Sequence, residues 1–219
     1  MRNIYVDLGK IEAVLPLSEL MPGEKFKQSE RIKAYITKVE NTTKGPQIML
    51  SRSHPGLLKR LFELEVPEIF DGVVEIRSVA REAGFRSKIA VFSRNEEVDP
   101  VGSCVGPRGT RVQTIVTELR GEKIDIVRYS DAVQEYVANA LSPSKVLEVQ
   151  VFEAEKMARV IVPDYQLSLA IGIKGQNARL AAKLTGWKID IKSETQAEQE
   201  YGRPKTISDE MHQDSVSID

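Results

Sequence analysis

The chain has 219 residues, of which 41% are hydrophobic and 29% are charged, a composition typical of a globular protein with room for two or three small domains. No apolar run approaches the roughly 18 residues of a membrane-spanning helix, no signal peptide is recognisable, and the single cysteine excludes internal disulfides, so we expect a cytoplasmic protein. The formal net charge of −1 is uneven, because residues 193–219 hold seven acidic and two basic side chains, which leaves residues 1–192 mildly basic and compatible with nucleic acid.

Residues 1–52 are predicted to form a small β domain. Hydrophobic and polar residues alternate in short runs that end at turn residues, which is the pattern of half-buried strands. The predicted strands are Ile4–Leu8, Ile11–Leu15, Arg31–Val39 and Gln47–Ser51, with a turn over Asn41–Pro46. Four such strands favour a small antiparallel barrel, and a β-sheet that binds no ligand remains the alternative.

Residues 53–129 are predicted to form an α+β unit. The hydrophobic pattern indicates a helix, two strands, a short helix, a Gly-x-x-Gly loop, an amphipathic helix and a closing strand. Asp99 followed by Pro100 suits the N-cap and first position of the short helix. The predicted elements are a helix over Pro55–Leu64, strands over Val73–Ala80 and Arg86–Ser93, a short helix over Val101–Val105, a helix buried from Val112 to Leu119, and a strand over Gly121–Val127.

Residues 130–192 repeat this order of elements. Asp131 and Gln134 have the spacing of a capping box for the first helix, which Pro143 terminates. The remaining predicted elements are strands over Lys145–Phe152 and Ala158–Val162, a short helix over Leu167–Ile171, a helix buried along Ala178, Ala181, Ala182 and Leu184, and a strand over Gly186–Lys192. Only about three residues connect the two units, far fewer than in a flexible linker, so we expect them to pack as one rigid body.

Two Gly-x-x-Gly segments lie at equivalent places in the repeat, Gly106 to Gly109 and, 66 residues later, Gly172 to Gly175. Paired glycines let the backbone turn sharply and approach another backbone closely. Each loop leads into a helix N-terminus, where free N–H groups favour an anion, and each carries one cation, Arg108 or Lys174. The pattern therefore predicts phosphate contact, with a tight helix–helix turn as the alternative.

This tandem pattern of helix, Gly-x-x-Gly, helix and strand resembles the KH domain family, and the extra helix and strand in front of each core resemble its bacterial form. In KH domains the loop clamps the backbone of about four nucleotides of single-stranded RNA. The resemblance implies an RNA-binding site whose members are Gly106, Pro107, Arg108, Gly109, Arg111, Gly172, Ile173, Lys174, Gly175, Gln176, Asn177 and Arg179. Four of these lie in the first helical turn after a loop, from which they are predicted to reach sugar or base edges.

The first 52 residues, which contain IYVDLGKIEAVLPLSEL and QIMLSR, resemble strands two to five of the S-one type OB-fold. An OB-fold is a five-stranded barrel that binds oligonucleotides, so we expect its first strand to precede Met1. The fold class is therefore mixed: a small antiparallel OB-fold barrel that lacks its first strand, followed by two α+β KH domains of the bacterial type. The predicted domains are 1–52, 53–129 and 130–192, followed by an acidic tail over 193–219 that is expected to be disordered.

The stretch HPGLLKRLFELEVPEIFDG between the barrel and the KH units, together with the domain order, resembles the NusA family of transcription termination and antitermination proteins. The resemblance implies a monomer that binds nascent single-stranded RNA in pausing, termination and antitermination. It also implies RNA polymerase and other Nus-type factors as partners. The alternative is a general RNA-binding module of a ribosome-associated or RNA-decay-associated protein.

An enzyme is not expected. The chain has no GxxxxGK[ST] phosphate loop, and its two histidines, His54 and His212, lack metal-ligand spacing. Cys104 has no neighbouring histidine and lies on the apolar face of a predicted helix, so we interpret it as a small buried hydrophobe. No metal and no cofactor are predicted. A protein-docking platform is a third hypothesis, and it requires partner binding that survives loss of both loops.

Overall fold

A computed structural model describes residues 3–202, which form a four-stranded sheet followed by two units with three-stranded sheets. The strands are β1 (Asn3–Asp7), β2 (Glu12–Pro16), β3 (Tyr35–Thr42), β4 (Gly45–Ser51), β5 (Val74–Glu82), β6 (Arg86–Ser93), β7 (Lys123–Arg128), β8 (Glu148–Phe152), β9 (Met157–Val162) and β10 (Lys188–Ser193). The helices are α1 (Pro55–Glu65), α2 (Pro67–Phe70), α3 (Pro100–Val105), α4 (Thr110–Glu118), α5 (Val133–Ala140), α6 (Leu167–Ile171), α7 (Gln176–Thr185) and α8 (Glu194–Tyr201). None of these helices has the length and apolar character that a membrane span needs.

The first sheet has the order β1-β2-β4-β3, with a parallel pair between β2 and β4 and antiparallel pairs elsewhere. Ala13, Leu15, Ile48 and Leu50 form its buried core. The third strand was predicted over Arg31–Val39, but β3 begins at Tyr35 and extends to Thr42, which is the second residue of the predicted turn. Thr42 pairs with Gly45 across a two-residue hairpin connection, and its hydroxyl donates to the Gly45 carbonyl at 2.8 Å, so polar residues extend the strand.

The first α+β unit covers one face of its sheet with helices. The sheet has the order β5-β6-β7, in which β5 and β6 are antiparallel and β6 and β7 are parallel. Asp99 caps α3 as predicted, because its carboxylate accepts the backbone N–H groups of Val101 at 3.3 Å and Gly102 at 3.0 Å. The core of this unit also contains Met21 from the first domain. The first domain and the first α+β unit are therefore packed together.

The second α+β unit repeats this arrangement, with β8 and β9 antiparallel and β9 and β10 parallel. The predicted capping box at Asp131 is wrong: α5 begins after Ala132 with no side-chain cap, since the Asp131 carboxylate accepts the Tyr129 hydroxyl at 2.9 Å. The buried face predicted for the helix after the second loop is only partly correct, because Ala178 and Ala182 are not fully buried. The buried residues of α7 are Asn177, Leu180, Ala181 and Leu184, because the two leucines, with more apolar surface than alanine, set which face is buried.

The two α+β units share one hydrophobic core, which confirms the packing predicted from their short connection. Ala80, Ala90 and Val127 of the first unit lie in the same buried cluster as Tyr136 and Val137 of the second. The hydroxyl groups of Ser78 and Tyr136 also donate to the Leu184 carbonyl, at 2.8 and 3.0 Å.

The predicted disordered tail over 193–219 is corrected for its first part. Ser193 ends β10 and forms a capping box with Gln196, which starts α8. The hydroxyl of Thr195 donates to the Asp164 carboxylate at 2.6 Å, and Ala197 is buried, so this helix packs on the second unit. Residues 203–219, on which the rest of that prediction falls, lie outside the described residues.

Candidate nucleic-acid interface

The two Gly-x-x-Gly loops have the same backbone conformation. Gly106 and Gly172 have φ values of 74° and 78°, and the cations Arg108 and Lys174 have φ values of 54° and 53°. A left-handed conformation is uncommon for residues with a side chain, so both loops place their cation in the same unusual geometry. A Cβ atom on Gly106 would lie 2.5 Å from Arg111 Cγ, which explains why the first loop position has to be glycine.

The middle residues of both loops face solvent. Pro107, Arg108, Ile173 and Lys174 are all exposed, and 85% of the Ile173 surface is accessible. Within residues 3–202, neither Arg108 nor Lys174 forms an ion pair or a side-chain hydrogen bond. Each loop therefore presents an unpaired positive charge next to the start of the helix that follows it, α4 or α7.

The residue two positions after each loop donates hydrogen bonds to the short helix that precedes the loop. Arg111 Nη1 donates to the Ser103 carbonyl at 2.6 Å and to Glu68 Oε2 at 2.9 Å. Asn177, at the equivalent place in the second unit, is 3% exposed, and its Nδ2 donates to the carbonyls of Leu141 and Ala170, both at 3.0 Å. The buried amide of Asn177 is thus not accessible to RNA in this conformation.

Two other residues of the predicted site join the two α+β units. Gln176 Nε2 donates to Glu82 Oε2 at 2.9 Å, and Arg179 Nε donates to Glu82 Oε1 at 2.6 Å. The hydrogen bond from Arg179 is the main reason why the pKa of Glu82 lies below its ordinary value. Arg179 Nη1 also donates to the Lys174 carbonyl at 3.0 Å, which ties the second loop to the first unit.

Each loop opens into a cleft that it shares with the preceding domain. The first cleft, of about 770 Å³, lies between α4 and the first domain and is lined by Arg108, Phe26 and Arg31 among others. The second, of about 690 Å³, lies between the second loop and the turn from β5 to β6. The structure therefore brings the predicted residues together as two similar sites, one in each unit.

Residues with the potential for other chemistry do not form a site in the described part of the chain. Cys104 is fully buried, and burial raises the pKa of its thiol to about 12. Among residues 3–202, no group of three or more histidine, cysteine, aspartate or glutamate side chains could hold a metal ion.

Three family models match the chain in the order in which its domains occur. They describe an S1 RNA binding domain over residues 2–51, a NusA-like first KH domain over residues 52–129 and a NusA-like second KH domain over residues 133–199. The chain belongs to the NusA family. This finding confirms the resemblance that was inferred from the sequence.

The relatives of this NusA-family chain include three bacterial proteins named transcription termination/antitermination protein NusA. The protein of Halalkalibacterium halodurans is 76% identical over 198 residues, which cover 90% of this chain and 52% of that protein. The protein of Bacillus subtilis is 70% identical over 207 residues, covering 94% and 56%, and that of Thermus thermophilus is 50% identical over 187 residues, covering 85% and 48%. The chain spans about half the length of these curated relatives.

Two residues that sequence reasoning did not select lie at the second cleft of this NusA-family chain. Phe85, in the turn between β5 and β6, is 58% exposed, and Lys123 is the exposed first residue of β7. The available signal was an aromatic residue in a turn, where small and polar residues are the usual choice. Their proximity to the second loop could not be read from the sequence.

Proposed function

We propose that this chain is the part of a transcription elongation factor that binds nascent single-stranded RNA during pausing, termination and antitermination. Membership of the NusA family and the names of the relatives support this function. The observation that carries it is the exposed, unpaired cation that each Gly-x-x-Gly loop presents beside a helix start. For the longer protein, RNA polymerase and other Nus-type factors are the partners, the location is the cytoplasm, and the chain is a monomer.

The residues of the site divide into two groups by their contacts. Eight loop residues contact the RNA backbone directly: Gly106, Pro107, Arg108, Gly109, Gly172, Ile173, Lys174 and Gly175. Arg111 and Asn177 keep the loops in shape, because their side-chain nitrogens are occupied by backbone carbonyls of the short helices and their neighbours. Gln176 and Arg179 orient the second loop through Glu82.

The loops bind RNA through charge and close approach. The glycines allow the phosphate backbone to come near the loop N–H groups, and the helix start adds a favourable field for an anion. If each KH unit takes about four nucleotides, the two units together accommodate eight or more. Because the two units share one core, the distance between the loops is fixed. Once RNA is bound at one loop, its binding at the other therefore carries no entropy cost for ordering a flexible linker.

The test replaces both middle residues of a loop by aspartate, as P107D/R108D or I173D/K174D. Aspartate tolerates the left-handed conformation, so each loop should keep its fold and its helical circular dichroism. We expect either variant to lose binding to an unstructured RNA of about 12 nucleotides, measured by fluorescence anisotropy at fixed salt. The milder variant K174A should reduce the salt dependence by about 0.7 in slope per lost phosphate contact.

A matched control lies in the turn from β8 to β9. Lys156 is exposed and has a φ value of 51°, so A154D/K156D introduces the same change of charge in the same backbone conformation away from the loops. We expect this control to bind RNA nearly as the parent does. If a loop variant bound as tightly as the control, the loops would not be the clamp.

A further inference from the structure

The turn from β5 to β6 presents Phe85 from a fixed position. Its backbone N–H donates to the Glu82 carbonyl at 3.0 Å, and its carbonyl accepts the backbone N–H of Lys123 at 3.1 Å. Gly84, at φ 80°, donates its N–H to Glu122 Oε2 at 2.8 Å. The backbone of the turn is therefore held both by its own hydrogen bond and by the start of β7, so the backbone that carries the aromatic ring needs little further ordering before a ligand binds.

Phe85 stands at a boundary between the two α+β units. The cleft of about 690 Å³ that it lines also contains Gly172, Ile173 and Lys174 of the second loop. This volume lies within the range of about 300–1,000 Å³ that is usual for ligand sites. An aromatic ring that is 58% exposed on a fixed turn, inside such a cleft, is available as a stacking surface.

The charges around the cleft leave two cations available. Arg86 is paired with Asp125 at 2.8 Å, and Arg179 is paired with Glu82 at 2.6 Å. Lys123 and Lys174 are exposed and have no ion pair within the described range 3–202. One unpaired lysine thus lies on each side of the boundary, Lys123 from the first unit and Lys174 from the second.

The start of β7 connects this cleft to the first loop through α4. β7 is the edge strand of the first unit's sheet, and Lys123 is its first residue. The helix α4, which follows the first loop, leads down the unit to the start of this strand. An RNA strand that follows α4 from the first loop to the start of β7 therefore reaches the cleft that the second loop lines.

We infer that the cleft binds one nucleotide of single-stranded RNA at the junction of the two units, with its base stacked on Phe85 and a neighbouring phosphate at Lys123. This site rests on the proposed function, because it is occupied only by RNA that spans both loops. The aromatic stack is tolerant of base identity, since every base has a π-face.

The test compares F85L, which keeps an apolar side chain of similar size, with F85Y, which keeps the ring. For an RNA of about 12 nucleotides, F85L should bind about 5- to 150-fold more weakly than the parent, and F85Y should bind like the parent. For an RNA of about four nucleotides, which fits a single unit, all three proteins should bind alike. K123A should weaken binding of the longer RNA and lower its salt slope by about 0.7.

An abasic scan separates stacking from a structural role. A single ribose without a base is moved along the RNA of about 12 nucleotides. At one position it should weaken binding to the parent while causing no further loss with F85L, because the same contact is then already missing. Additive losses at every position would overturn the stacking assignment.

The other outcomes distinguish this site from the proposed function. If F85L binds the longer RNA like the parent while P107D/R108D and I173D/K174D lose it, the junction site is overturned and the loop clamp stands. If the parent itself does not bind RNA, or the loop variants bind normally, both are overturned. If F85L retains RNA but loses a protein partner, the cleft is a protein contact and the inference fails.

Discussion

Glu82 in the first KH unit accepts a hydrogen bond from Arg179 in the second, with 2.6 Å between Oε1 and Nε. The same arginine donates through Nη1 to the carbonyl of Lys174, the cation at the centre of the second loop. A carboxylate of one unit is therefore connected through a single side chain to the Gly-x-x-Gly loop of the next. This contact adds to the shared hydrophobic core in holding the second loop in place relative to the first unit.

Replacing Glu82 by alanine should weaken the binding of long RNA more than that of short RNA. Binding across both loops gains from their fixed separation, a gain of about 10²–10⁴ in favourable cases, and E82A should lose up to about tenfold of it. Affinity for an RNA of about four nucleotides should not change. Anisotropy titrations with both RNAs measure the effect. E63A, which removes a carboxylate paired with Arg60 on α1, is the control, and an equal loss for both RNAs would contradict the prediction.

The two glycines of the first loop should respond differently to alanine. Both have positive φ, so each substitution carries a backbone cost of about 1–2 kcal/mol. At Gly106 the new Cβ would also lie 2.5 Å from Arg111 Cγ, whereas at Gly109 nothing lies within 4 Å. We therefore expect G106A to lower the free energy of unfolding clearly more than G109A does, as measured by urea denaturation. Equal losses would mean that Arg111 moves aside without cost.

The loops were predictable from the sequence because their requirement is local. Paired glycines with a cation between them, repeated at one offset, identify the left-handed positions without any knowledge of the tertiary structure. The order of helices and strands was predictable for the same reason, since hydrophobic periodicity records which face of each element is buried.

The protein contacts of the residues after the loops were not predictable, because the partners are distant in sequence. Arg111 contacts a glutamate 43 residues away, Asn177 a carbonyl 36 residues away and Arg179 a glutamate 97 residues away. All three look like exposed polar residues of a first helical turn. The family resemblance implied that they contact RNA, which stays a prediction, and in the structure their side-chain nitrogens donate to protein partners.

Asp125 should make the stability of the chain depend on pH in acid. Burial acts to raise the pKa of this carboxyl, but hydrogen bonds and charge from Arg86 and Lys88 outweigh it and lower the pKa. Lys88 is fully buried and also donates to the Ser142 carbonyl of the second unit at 2.8 Å. Because the folded pKa is depressed, the stabilisation is complete above the unfolded pKa of about 3.9 and is lost as the pH falls through the folded value.

The variant D125N tests this dependence. At neutral pH it should lower the free energy of unfolding by about 3 kcal/mol, because it leaves the buried Lys88 ammonium without its counter-charge. Below about pH 4 the parent should lose stability more steeply than the variant does. Urea denaturation at a series of pH values, followed by circular dichroism, measures both effects. D71N, at an exposed aspartate, is the control, and a parallel pH profile for parent and D125N would refute the assignment.

We expect Arg52 to contribute more than any other side chain to holding the first domain against the first KH unit. It is 1% exposed, donates to Glu24 Oε1 from Nε at 3.0 Å, and donates to Glu118 Oε1 at the end of α4 from Nη1 at 2.9 Å. Its Nη1 also donates to the Lys33 carbonyl at 2.7 Å. One buried guanidinium thus joins the first domain to the helix that follows the first loop.

The variant R52M should lower the free energy of unfolding by about 3 kcal/mol, because the buried Glu24 loses its nearest counter-charge and keeps only Arg120, whose Nε lies 3.5 Å from Glu24 Oε1. R60A removes an exposed ion pair and should cost less than about 1 kcal/mol. The double variant E24Q/R52M should recover part of the loss, since it no longer buries a carboxylate that has lost its Arg52 partner. Urea denaturation measures all three. Trp187 packs against the core that the two KH units share, so a first transition that precedes the change in its fluorescence would show that the first domain has detached. If R52M were no less stable than R60A, the Arg52 guanidinium would not be what holds these two domains together.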